Sequence, residues 1–115
     1  DENLEICESI RNRSDRESKI YSKDSCYRYV AEKKLDSSIC NKIKISNLFD
    51  ICFINIAAKK QDVSICKNLQ SSYGIERCYV EVGVAKKDVT VCDNIPAQGV
   101  KNDCYITVEK AKISS

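Results

Sequence analysis

Residues 26–40 read Cys26-Tyr27-Arg28-Tyr29-Val30-Ala31-Glu32-Lys33-Lys34-Leu35-Asp36-Ser37-Ser38-Ile39-Cys40. The same phrase returns, with substitutions, between Cys52 and Cys66 and between Cys78 and Cys92. Working outward, the eight cysteines stand at 7, 26, 40, 52, 66, 78, 92 and 104, and from Cys26 onward their gaps alternate 14 and 12, a period of 26 residues. The flanks keep the same phase. Ile6, Ile39, Ile65 and Val91 precede one set of cysteines, and Tyr27, Phe53, Tyr79 and Tyr105 follow the other. Val30, Ile56, Val82 and Val108 recur four residues after the second set. Agreement at this many positions establishes four tandem repeats, about 3–36, 37–62, 63–88 and 89–115, in a single domain of residues 1–115. The first repeat carries a seven-residue insertion between its cysteines.

Each repeat reads as a short helix, a turn and a longer helix. Asp36 is placed to N-cap a short helix over 37–44, and Asp62 and Asp88 occupy the same phase. Phe49, Cys52, Phe53, Ile56 and Ala57 recur at helical spacing, which predicts a long helix over 48–61. The matching helices fall at about 24–35, 74–87 and 100–113. Ile45-Ser46-Asn47, Ser71-Ser72-Tyr73-Gly74 and Pro96-Ala97-Gln98-Gly99 are the expected turns.

The turns decide the cysteine pairing. In a helical hairpin, residues equally far from the turn lie opposite each other, and Cys40 and Cys52 are each six residues from Ser46. The expected bridges are therefore Cys40–Cys52, Cys66–Cys78, Cys92–Cys104 and, with the insertion looping out, Cys7–Cys26. The competing pairing, Cys26–Cys40 and its equivalents, fails on reach. Cys26 sits roughly 14 Å along its helix from the C-terminal end, whereas a disulfide needs Cα atoms within about 7 Å. The expectation is an all-α fold, a short α-solenoid of four disulfide-stapled helical hairpins.

Composition narrows the function. The chain has 115 residues, no His, no Met, no Trp, 3 Gly and 1 Pro. So few turn residues argue against an all-β fold. Without His, triads and His-ligated metals are excluded. No cysteine pair has zinc-type spacing, no phosphate-binding glycine loop is present, and oxidised cysteines are not nucleophiles. The expectation is a non-enzyme without cofactor or metal. The 19 Lys+Arg against 17 Asp+Glu give a net charge of +2, too small to imply nucleic-acid binding. No apolar run is long enough for a membrane span. Four closed loops, each contributing around 3 kcal/mol in the loop-entropy model, place the protein outside the cytosol. Asp1 in place of Met is what removal of a signal peptide leaves. The expected location is extracellular or at the cell surface.

Several columns and segments are candidate sites. Ala31, Ala57 and Gly83 are small residues that let adjacent repeats approach, and Glu109 replaces them in the last repeat. Ile54, Val80 and Ile106 form an apolar column in which the first repeat has Arg28. Charged residues at these two positions are what capping repeats show, and Arg28 and Glu109 are candidate assembly contacts. The column Lys34, Lys60, Lys86 and Lys112 reads as solvated helix ends facing exposed carbonyls, with an anionic glycan or lipid surface as the functional alternative. The Tyr27, Phe53, Tyr79, Tyr105 column reads as core. The insertion around Arg11–Lys19 reads as a surface loop, and its Arg11, Arg13, Arg16 and Lys19, with Tyr21, are candidate binding residues. Asn12-Arg13-Ser14 is an N-glycosylation sequon, with Asn12 the acceptor.

The Cys26-Tyr27-x-x-Val30-Ala31-x-x-Lys34-x-Asp36-x-Ser38-Ile39-Cys40 phrase and its two returns resemble a cysteine-rich helical repeat of predicted secreted proteins and lipoproteins of archaea. The resemblance covers nearly the whole chain and implies an exported α-helical repeat protein. It brings no catalytic residues. The functional expectation is an extracellular structural protein, a subunit of a self-assembling cell-surface filament or sheath, with another copy or another extracellular protein as partner. The alternative is a monomeric secreted binding module that recognises a protein or an anionic glycan through its turn edge and first-repeat loop.

Overall fold

Only two residues separate each long helix from the next short one, and their backbone explains how the chain reverses there. Leu35, Gln61 and Lys87 have φ of 53°, 53° and 54°, the left-handed conformation that glycine most often supplies at a helix end. The next residue is Asp36, Asp62 or Asp88. Its N–H donates back to the carbonyl of Ala31, Ala57 or Gly83, at 3.0, 2.9 and 3.0 Å. These are Schellman turns. The same aspartates then start the following helix. Each carboxylate accepts the N–H two residues on, at Ser38, Ser64 and Thr90, at 3.0 Å, and that residue's hydroxyl at 2.6 Å. One residue thus closes one helix and caps the next.

The computed structural model describes residues 2–10 and 16–114. Its elements in order are α1 (Glu2–Glu8), α2 (Arg16–Lys34), η1 (Ser37–Lys42), α3 (Ser46–Lys60), η2 (Val63–Asn68), α4 (Ser72–Lys86), η3 (Val89–Asn94) and α5 (Gln98–Ser114). Among the described residues there is no strand. The protein is all-α, and its four disulfides link successive helices. The short helices η1–η3 are 3-10 rather than α. Ile39, Ile65 and Val91 donate to the carbonyls of their capping aspartates three residues back, and Ile43, Leu69 and Ile95 to those of Cys40, Cys66 and Cys92. Each is six residues, two such turns, a longer run than the roughly 3–4 residues usual for the 3-10 form.

The long helices differ from the expected spans at both ends. Helices α3, α4 and α5 begin two residues earlier, because the expected turns already contain the helix starts, and α2 begins well before 24, at Arg16; Ser71 caps α4 by accepting from Gly74 N–H at 3.0 Å. Three of them end one residue earlier, because Leu35, Gln61 and Lys87 have left the helix. The expected surface loop over the insertion is corrected in part, since Arg16, Glu17, Ser18 and Lys19 form the first turn of α2.

The chain packs as two compact units, Asp1–Cys52 and Phe53–Ser115. In the first, α2 lies against both α1 and η1. Tyr27, Val30, Ala31, Ile39, Cys40 and Ile43 are buried there. Asp24 is buried with them at 2% exposure, and its Oδ2 accepts the N–H groups of Lys44 and Ile45 at 3.0 and 2.8 Å. This ties the turn before α3 to the helix of the preceding repeat. In the second unit, α4 packs against η2, η3 and α5. Phe53, Ile56, Val82, Ile95 and Val108 are its largest fully buried side chains apart from cysteines. Gly83 marks a close approach. A Cβ there would meet Val108 Cγ2 at 3.1 Å, the Asp88 carbonyl at 3.5 Å and Val91 Cβ at 3.6 Å.

Candidate functional site

The cysteines pair as the hairpin geometry requires. Bridges join Cys7–Cys26, Cys40–Cys52, Cys66–Cys78 and Cys92–Cys104, with Cα separations of 5.4, 5.8, 5.5 and 5.7 Å. No cysteine is free. The sulfurs therefore offer neither a nucleophile nor a metal ligand, and what remains is surface.

That surface is best read through the repeat. The residue before the first cysteine of each repeat is buried in three cases, with Ile39, Ile65 and Val91 at 4%, 7% and 4% exposure, while Ile6 stands at 59%. Val91 shows what buries such a side chain: it sits against the bare Cα of Gly83 on the long helix of the preceding repeat. Ala31 and Ala57, in the phase of Gly83, are likewise fully buried. The corresponding residue of α5, Glu109, is exposed, with its Oε1 3.3 Å from Lys112 Nζ. Three residues before it and four after it, Ile106 and Ile113 are 54% and 83% exposed. The fourth repeat thus exposes Glu109 and Ile106 where the other repeats bury or half-bury their counterparts, and the first exposes Ile6 where the others bury theirs.

The remaining predicted residues are dispersed. Arg11, Asn12 and Arg13 lie outside the described residues. Arg16, Lys19 and Tyr21 belong to α2. Arg28 Nε lies 3.5 Å from Glu32 Oε2, one helical turn along, so both predicted assembly contacts hold intrahelical ion pairs. Lys34, Lys60, Lys86 and Lys112 are all exposed at helix ends. In the second unit Lys60 and Lys86 flank Asp62, and Lys86 and Lys112 flank Asp88. Their charges help hold both carboxyls below the ordinary value of 3.8, after the larger effect of the hydrogen bonds from Ser64 and Thr90. Tyr27, Phe53 and Tyr79 are core. Burial raises the Tyr27 phenol, and nearby Glu8 adds to the shift. Glu8 also pairs with Lys42 at 3.5 Å, whose ammonium lies 6.0 Å from the Tyr27 ring centroid. Tyr105 departs from the column. It is half-buried and donates its hydroxyl to Asp93 Oδ1, which raises its pKa.

No protein-family model, curated protein or solved structure matches the chain. Among the described residues no helix is long and apolar enough to cross a membrane. Four disulfides are consistent with an extracellular location.

Two features carry no distinctive signal in the sequence. Asp24 is an acidic residue two before a cysteine, a placement with no distinctive pattern, although Asp50, Glu76 and Asn102 share its phase. Ile6 belongs by sequence to the Ile39, Ile65, Val91 column, and nothing in its residue type distinguishes its 59% exposure from their burial.

Proposed function

We propose that the protein is an extracellular structural protein, a subunit of a self-assembling cell-surface filament or sheath, built on the cysteine-rich helical repeat of exported archaeal proteins. The observation that carries this reading is the pair of open half-interfaces, Ile6 on the first repeat and the Ile106/Ile113 face on the last. An inserting side chain on one copy and a receiving face on another form a heterologous contact, and such contacts give open filaments when the rotation does not close. Four internal staples suit a part that must hold its form outside the cell. Sedimentation velocity over a concentration series, with negative-stain microscopy of the oxidised protein, tests it. The expected result is concentration-dependent oligomers that resolve as fibres or sheets. A strict monomer at high concentration rejects the reading.

Glu109 favours a second reading. A carboxylate in a column otherwise made of buried small residues opposes stacking, and a monomeric secreted binding module for a protein or anionic glycan needs that opposition. Because α2 begins at Arg16, the test is deletion of residues 11–15 alone. Capture of a partner lost at unchanged thermal stability supports this segment as the binding element, and capture retained removes it.

A further inference from the structure

The repeat interface inside the second unit is a template for contact between copies. There the residue before the repeat's first cysteine, Val91, lies 3.6 Å from the position a Cβ would take on Gly83, and the Asp88 carbonyl lies 3.5 Å from it. A position approached this closely admits hydrogen or a methyl group, as Gly83, Ala57 and Ala31 show. On α5 the same position is Glu109, and Ile106 and Ile113 flank it on the exposed face. The complementary piece is Ile6, exposed on α1. Charge agrees with the match. Helix α1 carries exposed Glu5 and no basic residue, while the last turns of α5 carry exposed Lys110; Glu8 and Lys112 are engaged with Lys42 and Glu109.

We infer that the α5 face of one copy receives Ile6 of a second copy, and that Glu109 keeps this seam weak and reversible. The inference rests on the self-assembly reading and deepens it by naming the contact and the residue that restrains it. In the covalent repeats a small residue lets the incoming side chain reach the helix surface. At the seam, Glu109 must swing aside or be buried, and burying a carboxylate is costly even beside a partner such as Lys112. Ile106 and Ile113 supply the apolar area that still draws the copies together. In this contact Glu109 opposes association and Arg28, paired with Glu32, has no part.

The test is sedimentation velocity on the full oxidised chain for the wild type, Glu109→Ala, Ile6→Lys and the double variant, with circular dichroism and intact mass confirming helix content and four bridges. Glu109→Ala introduces the residue found at 31 and 57, and Ile6 is exposed, so each variant retains the fold. Glu109→Ala is expected to tighten self-association at least tenfold, and Ile6→Lys to abolish it in both backgrounds. Association unchanged by Glu109→Ala, or surviving Ile6→Lys, overturns the seam. A monomeric wild type with an Ile6-dependent Glu109→Ala assembly removes the filament reading and keeps the seam. A wild type that assembles indifferently to both substitutions does the reverse, and four monomers remove both.

Discussion

The buried carboxylate of Asp24 offers the sharpest check on how one repeat is held to the next. Its Oδ2 accepts two backbone N–H groups, those of Lys44 and Ile45, at 3.0 and 2.8 Å. Hydrogen bonds to a charged acceptor contribute about 1.5–3 kcal/mol each, and an unmet buried N–H costs about 1–3 kcal/mol. Because both bonds converge on one oxygen, their loss is less than additive, and Asp24→Ala should cost about 3 kcal/mol. Asp24→Asn leaves a neutral oxygen in the same place and should cost only about 1 kcal/mol. Amide hydrogen exchange followed by NMR reads the effect where it arises. At about 1.4 kcal/mol per tenfold, protection at Lys44 and Ile45 should fall roughly 100-fold in the Ala variant and less than tenfold in the Asn variant. If both amides keep wild-type protection in Asp24→Ala, the carboxylate does not hold the turn. If Asn is as damaging as Ala, the net charge at the site matters and the hydrogen bonds do not.

Four further outcomes follow from the bridges, the packing and the caps. Replacing Cys66 and Cys78 together by Ala opens a loop with a sequence separation of 12, and should cost about 3 kcal/mol in urea denaturation on the loop-entropy model. Gly83→Ala should leave stability within about 1 kcal/mol of wild type, since the gain in helix propensity offsets a 3.1 Å approach to Val108 Cγ2. Gly83→Val should lower it by about 1–3 kcal/mol through overpacking, as thermal melts would show. Asp62 and Asp88 have folded pKa values below 3.8. They therefore stabilise the fold fully above that pH, and the contribution disappears as pH falls through their folded values. Acid unfolding of Asp62→Asn/Asp88→Asn, which keeps the caps without the titration, should be shallower than wild type below pH 3.8.

The elements that were legible in the sequence are those the 26-residue period controls. Period and turn position together fixed the bridges, because a disulfide tolerates only a narrow Cα separation. Asp36, Asp62 and Asp88 were readable as caps from residue type and phase. Their second task, receiving the chain from a left-handed residue, was hidden because Leu35, Gln61 and Lys87 are not glycine and nothing in their type announces a positive φ. Gln61 shows the compensation available: its Nε2 donates to the Ala85 carbonyl at 3.2 Å. The 3-10 form of η1–η3 was equally hidden, since six residues present the same apolar pattern to either helix. At the candidate site, the departures at 28 and 109 marked the two outer repeats. Their contribution did not follow from sequence, because a lone charge does not reveal whether it attracts a partner or satisfies a neighbour such as Glu32 or Lys112 on its own helix.

Every sulfur bridge begins and finishes inside one repeat. A gene that gains or loses a single 26-residue cassette therefore produces a chain with all its thiols still matched, and an oxidising folding environment meets no orphan to mispair. Such a scaffold can change length during evolution without renegotiating its covalent chemistry, provided the terminal substitutions stay with the outermost cassettes.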